Sequence, residues 1–197
     1  MNRSVLTALF TAALICTLAA ADPVSKRDAA RLQAKLDRIS KNGEAPGKLA
    51  AKTPISEAEV NSYLQFELRP KMPAGVTDPW VSILDAGRLS GRATVDLAKV
   101  AQSRKSSSMI DPFNYLTGSM PVAVNGVLRT RNGVGTFALE SASISGVPVP
   151  AWMVQEIVTY YSRSPESPTG VSLDKPFALP SGIREIQLAR GQAIVIQ

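Results

Sequence analysis

Only a few side chains in this chain have the types and spacing that could do chemistry. Ser172 and Lys175 form an S-x-x-K pattern, the spacing at which a lysine amine can activate a serine nucleophile when both project from the start of a helix. Here they precede Pro176, with no S-D-N partner, and the pattern reads as loop spacing. The run from Gly133 through Gly135 to Ala138 fits G-x-G-x-x-A, which holds a dinucleotide only between a strand and a helix. In this chain it leads from a turn into an alternating strand. Glu57 with Glu59, and Asp85 with Asp96, read as a capped helix turn and as solvent-facing strand residues, with no cleft to desolvate them. No histidine is present, and the single cysteine, Cys16, lies in an N-terminal apolar run. The usual Ser-His and Cys-His nucleophile pairs are therefore absent, a zinc site is not expected, and no cofactor is implied. A hydrolase would need a serine–lysine pair or two carboxylates; the leading expectation is binding without catalysis.

Composition narrows the class further. Arg3, the apolar run Val5 to Leu18 and the small residues Ala19 and Ala21 have the layout of an export signal. Residues 1–21 are read as that signal, which leaves 176 residues for a secreted or periplasmic protein without disulfides; retention of the run as an anchor is the alternative. Residues 26–52 carry eight basic and three acidic side chains, a net of +5, whereas residues 53–197 carry a net of only +1. A nearly neutral folded part argues against nucleic acid as a partner.

These residues need elements to position them. The stretch SKRDAARLQAKLDRISKN sets Ala29, Leu32, Leu36 and Ile39 at helical spacing, and NGEAPGKLAAKTP reads as a linker. Residues 22–53 are thus expected to be a basic amphipathic arm and flexible linker. Either the arm is simply solvated, or Lys26, Arg27, Arg31, Lys35 and Arg38 touch an anionic membrane surface. The domain proper is expected over 54–197. Its first helix is marked by Ser56 and Glu59 as a capping box, Ile55 and Val60 as a staple, and the stripe Val60, Tyr63, Leu64, Leu68. WVSILDAG and RLSGRATVDLAKV read as a hairpin. A loop over 101–120 follows, whose Met109, Ile110, Phe113, Tyr115 and Leu116 could form a lid. Asn132-Gly133 predicts a two-residue type I′ turn between two long strands. With that turn, Val122, Val124, Gly126 and Leu128 oppose Ser143, Ser141, Leu139 and Phe137 on the buried face. Pro150 opens a second helix with Val154, Ile157, Val158 and Tyr161 on one side, and IREIQLA and QAIVIQ form a closing hairpin. This order predicts a single α+β domain with a long, highly curved antiparallel sheet wrapped around one or two helices.

The export signal, P-I-S-E-A-E-V-N-S-Y-L (54–64), G-x-A-x-V-D-L (91–97), S-G-V-P-V-P-A-W-M-V (145–154) and F-A-L-P-S-G-I (177–183) resemble bacterial envelope proteins of the tubular lipid-binding, or TULIP-like, superfamily. The chain departs from several such proteins in lacking a lipobox cysteine and a second copy of the unit. The resemblance implies a non-catalytic protein whose curved sheet leaves an apolar groove for lipid acyl chains. Ile83, Leu89, Val95, Val124, Leu128, Phe137 and Leu139 would then line the groove from the sheet. Gly91, Ala93 and Gly126 would keep it shallow, and Val154, Ile157 and Val158 would close it from the helix. The alternative is a structural or adaptor domain of the envelope that binds a protein partner and has no ligand cavity, its small residues serving only close packing.

Overall fold

A computed structural model describes residues 24–45, 50–72, 75–96, 118–161, 172–173 and 175–197, with the side chains of residues 156, 157, 160 and 161 left aside. The expected signal, the apolar loop residues 109–116 and Leu97 lie outside the described residues. Helix α1 (Lys26–Glu44) starts at Ser25, whose hydroxyl accepts the Asp28 N–H at 3.1 Å. Strand β1 (Lys52–Ser56) runs directly into α2 (Glu57–Phe66). There Ser56 and Glu59 make the expected capping box, with Glu59 N–H to Ser56 Oγ at 3.2 Å and Ser56 N–H to Glu59 Oε2 at 2.9 Å.

The remaining elements are β2 (Val76–Ile83), β3 (Arg88–Asp96), β4 (Ser119–Arg131), β5 (Val134–Ile144), β6 (Val147–Pro148), α3 (Ala151–Tyr161), β7 (Phe177–Ala178), β8 (Glu185–Ala189) and β9 (Gln192–Ile196). All pairings are antiparallel. One sheet has the order β2-β3-β4-β5-β6 with β7 also on β5, and a second has the order β1-β9-β8. The chain is therefore an α+β fold built on antiparallel sheets, as its pattern predicts. Asn132 and Gly133 take φ of 51° and 80°, the left-handed pair that a type I′ turn requires.

Three features differ from the expectations. First, α1 is packed into the body: Ala29, Leu32 and Ile39 are buried, and Leu32 and Ile39 share a core with Ile55, Ile183 and Val195. Second, the end of the expected linker is β1, an edge strand paired only with β9. An edge position tolerates Pro54, because the missing N–H costs no internal ladder bond. Third, β5 carries a bulge. Arg131↔Val134 through Gly126↔Leu139 follow the register set by the turn, but Asn125 pairs with Ser141, leaving Glu140 as the extra residue. Beyond it, Val122 faces Ile144 and Val124 faces Ala142. This corrects the expected pairing with Ser143 and Ser141. One inserted residue turns both serines to the opposite face, where Asn125 Nδ2 donates to Ser141 Oγ at 3.0 Å.

Among the described residues the two sheets are tied at several places, including the Gly133 N–H to the Arg184 carbonyl at 2.9 Å. Thr130 Oγ1 accepts the Ile186 N–H at 2.7 Å and donates to the Ile186 carbonyl at 2.9 Å. At another place, the Gly191 N–H donates to the Ile83 carbonyl at 2.8 Å, and Arg190 binds Asp85 through its backbone N–H (3.0 Å) and its guanidinium (3.2 Å). Asp85 thus belongs to the turn between β2 and β3, where Arg190 engages it.

Candidate functional site

The register puts Leu89, Gly91, Ala93 and Val95 of β3 beside Gly126, Val124, Val122 and Met120 of β4. It also puts Ile83 of β2 beside Leu89, and Phe137 and Leu139 of β5 beside Leu128 and Gly126. The ten sheet positions expected to line a groove therefore share one inner face. The bulge adds Ala142 and Ile144 to this face, which makes it more apolar than the uniform register predicts.

Coverage of this face is uneven. At one end Ile83 is only 3% exposed. At the other, Val95, Met120, Val122 and Ile144 pack with Val149 and Met153 at the start of α3, and Val154 is buried. Between these ends Gly126 and Ala142 are buried, whereas Leu89, Gly91, Ala93, Val124, Leu128, Phe137 and Leu139 are half-buried. A central apolar row of a six-stranded sheet would be fully buried in a closed core. The two central glycines differ. A Cβ at Gly126 would strike the Phe137 ring, so a neighbouring strand already fills that position. A Cβ at Gly91 would have only the Val124 carbonyl oxygen within 4 Å, at 4.0 Å, among the described residues.

A cavity of about 420 Å³ lies between the β5 margin and α3, bounded by Ala138, Leu139, Ala151, Trp152, Gln155 and Leu173. Its volume falls within the range of small-molecule sites. Among the described lining residues the polar side chain is Gln155, and it is tied down: its Oε1 accepts the Leu173 N–H, and its Nε2 donates to Thr159 Oγ1, both at 2.6 Å. Trp152, off the helical stripe in the sequence, is 61% exposed at the cavity wall. Val158 is half-buried, while the Ile157 side chain lies outside those described.

A second cavity, of about 580 Å³, is lined by Trp80, Arg92, Thr94, Ala123 and Ser143, whose registers set them on the opposite face, and also by Ala93 and Val122. The Arg92 guanidinium stands 5.4 Å from the Trp80 ring centroid. No expectation covered this site, although the alternation of the β2–β3 hairpin makes Trp80 and Arg92 cross-strand neighbours.

The five cations assigned to a membrane surface all lie on α1, and they are not equivalent. Lys35 Nζ contacts both Glu59 carboxylate oxygens at 2.7 Å and the Pro54 carbonyl at 2.6 Å, so it neutralises the capping-box carboxylate. Arg31 pairs with Asp28 at 2.7 Å. The Ser25 hydroxyl, donating to the Asp28 carboxylate at 2.5 Å with Arg31 alongside, holds that carboxyl below its ordinary pKa range. Lys26, Arg27 and Arg38 are exposed. Ser172 and Lys175 precede β7 outside any helix, with Lys175 exposed. No family model, curated protein or solved structure matches this chain.

Proposed function

We propose that this chain is an exported, non-catalytic binding protein that holds lipid acyl chains between the inner face of its sheet and α3. The observation that carries this reading is the half-buried apolar row through Leu89, Gly91, Val124, Leu128 and Leu139, whose Leu139 also lines the cavity beside Trp152 and Leu173. A hydrocarbon laid along such a row needs no specific polar contact, because each methylene removed from water contributes about 0.8 kcal/mol. The resemblance to tubular lipid-binding proteins supports the same class of ligand. Gly126, filled by Phe137, favours the competing reading of a closed envelope scaffold at that one position; Gly91 does not.

The test is native mass spectrometry of protein purified gently from an exporting host, followed by organic extraction. Phospholipid is expected to co-purify. Leu128→Arg should abolish it while circular dichroism stays native. A Cβ at Gly91 meets only the Val124 carbonyl oxygen, at 4.0 Å, among the described residues, so Gly91→Leu should reduce bound lipid by several-fold and cost less than about 1 kcal/mol of stability. Lipid-free wild-type protein, or a Gly91→Leu variant that is strongly destabilised, would leave the scaffold reading in its place.

A further inference from the structure

Helix α1 carries its charges in an order that packing of its other face does not require. At 100° per residue, Arg27, Arg31, Ala34, Arg38 and Lys41 fall within a sector of about 80°. All five are exposed, and they lie opposite the buried Ala29, Leu32 and Ile39. Acidic residues flank this sector, and each has a partner: Asp28 with Ser25 and Arg31, Asp37 with Gln33, and Glu44 with Ser40. Arg27, Arg38 and Lys41 make no hydrogen bond or ion pair among the described residues. The helix is held by its core contacts, so the spacing of these cations is set before any partner arrives.

We infer that this outward stripe of α1 seats the protein on an anionic lipid bilayer through Arg27, Arg31, Arg38 and Lys41. Charge complementarity selects the occupant. A protein partner is anchored chiefly by large side chains buried at the centre of the interface; this stripe offers no aromatic or large aliphatic residue, only alanine between cations. A bilayer surface requires only cations held within a screening length of its headgroups. The low relief at Ala34 lets the long side chains on either side reach one plane. Lys35 takes no part, being engaged with Glu59 and Pro54, and Lys41 joins instead. The stripe lies on a different element from the acyl-chain groove, so docking and acyl-chain binding stand or fall separately.

Sedimentation of the purified protein with vesicles tests this. The protein should pellet with vesicles of phosphatidylglycerol mixed with phosphatidylcholine. It should stay in solution with phosphatidylcholine alone, and be released from the mixed vesicles at an ionic strength of about 0.5 M. Each cation near the surface is worth about fivefold in partition. Arg27→Gln combined with Arg38→Gln and Lys41→Gln should therefore weaken binding on the order of 100-fold. Arg31 is retained in that variant, because removing it would free Asp28. Arg88→Gln with Arg129→Gln and Arg131→Gln removes the same charge from exposed positions on the sheet, and should leave binding within about threefold of wild type. Wild-type protein that ignores anionic vesicles, an α1 variant that binds as wild type does, or a sheet variant that loses as much as the α1 variant would each overturn the inference.

Discussion

At the scale of residues, the fold depends on buried amides as well as buried hydrocarbon. Asn61 and Ser62 have 0% exposure. The Asn61 amide accepts the Val81 N–H at 2.7 Å and donates to the Val81 carbonyl at 2.8 Å. One turn before it, Glu57 accepts the Ile83 N–H at 2.7 Å; one turn after it, Gln65 donates to the Pro79 carbonyl at 2.8 Å. Three polar side chains at i, i+4 and i+8 thus run along the edge of β2 and satisfy backbone groups there. Asn61→Ala should destabilise the protein by about 1–3 kcal/mol in urea unfolding, since two partly buried backbone groups lose their partner together. A loss under about 0.5 kcal/mol would show that water replaces the amide. The apolar stripe of α2 was legible as a spacing, and so was its capping box. The role of Glu57, Asn61 and Gln65 was not, because polar residues at helical spacing ordinarily face solvent. Nothing local to α2 says that a strand edge some twenty residues later will meet them.

Among elements, the bulge at Glu140 has the widest effect. The Asn132-Gly133 turn correctly fixes the register of β4 and β5 as far as Gly126↔Leu139. No turn residue announces the extra residue that follows, so the expected pairing failed beyond that point. The pattern Leu139, Ala142, Ile144 held the only clue: the apolar positions change phase once, and serines occupy the positions that strict alternation would bury. Deleting Glu140 removes the extra residue while Ser141, Ala142 and Ile144 keep their present partners Asn125, Val124 and Val122, so Ala142 and Ile144 should stay on the inner face and the protein should remain folded. Its cost in urea unfolding should be under about 2 kcal/mol, and that of Glu140→Ala, at an exposed position, less than about 0.5 kcal/mol. A deletion variant that fails to fold would show that the kink of the bulge itself is needed as well as the phase it sets. The shared face of the ten sheet positions was legible to the same extent as the register. The sheet residues meet on one face because alternation is visible in sequence. The filling of Gly126 by Phe137 depends on a ring orientation that alternation does not encode.

For the molecule as a whole, the larger buried cluster among the described residues lies at one end. Leu32, Ile39, Ile55, Ile183 and Val195 form a core between α1, α2 and the smaller sheet. Around α3 the corresponding cluster has Ile144 as its buried member, with half-buried neighbours. Local stability follows such differences. Backbone amides of α1 and β9 should outlast those of α3 in native-state hydrogen exchange, and bound lipid should slow α3 selectively, because a ligand stabilises the elements it touches. Exchange of α1 ahead of α3 would contradict this distribution. The basic N-terminal segment belongs to the more stable end. Its charges stood out in the composition, but its incorporation into the core rested on Ala29, Leu32 and Ile39, three small or medium apolar residues among many cations.

The stitch at Thr130 bears on how a guest could be admitted. One hydroxyl holds both backbone groups of Ile186, so the smaller sheet cannot swing away from β4 without breaking two bonds at once. If the guest is held as proposed, entry past this stitch is costly, and the flank beside α3, where Val149 and Met153 pack on Ile144 and Gln155 ties Leu173, is where slower exchange on lipid loading should be read.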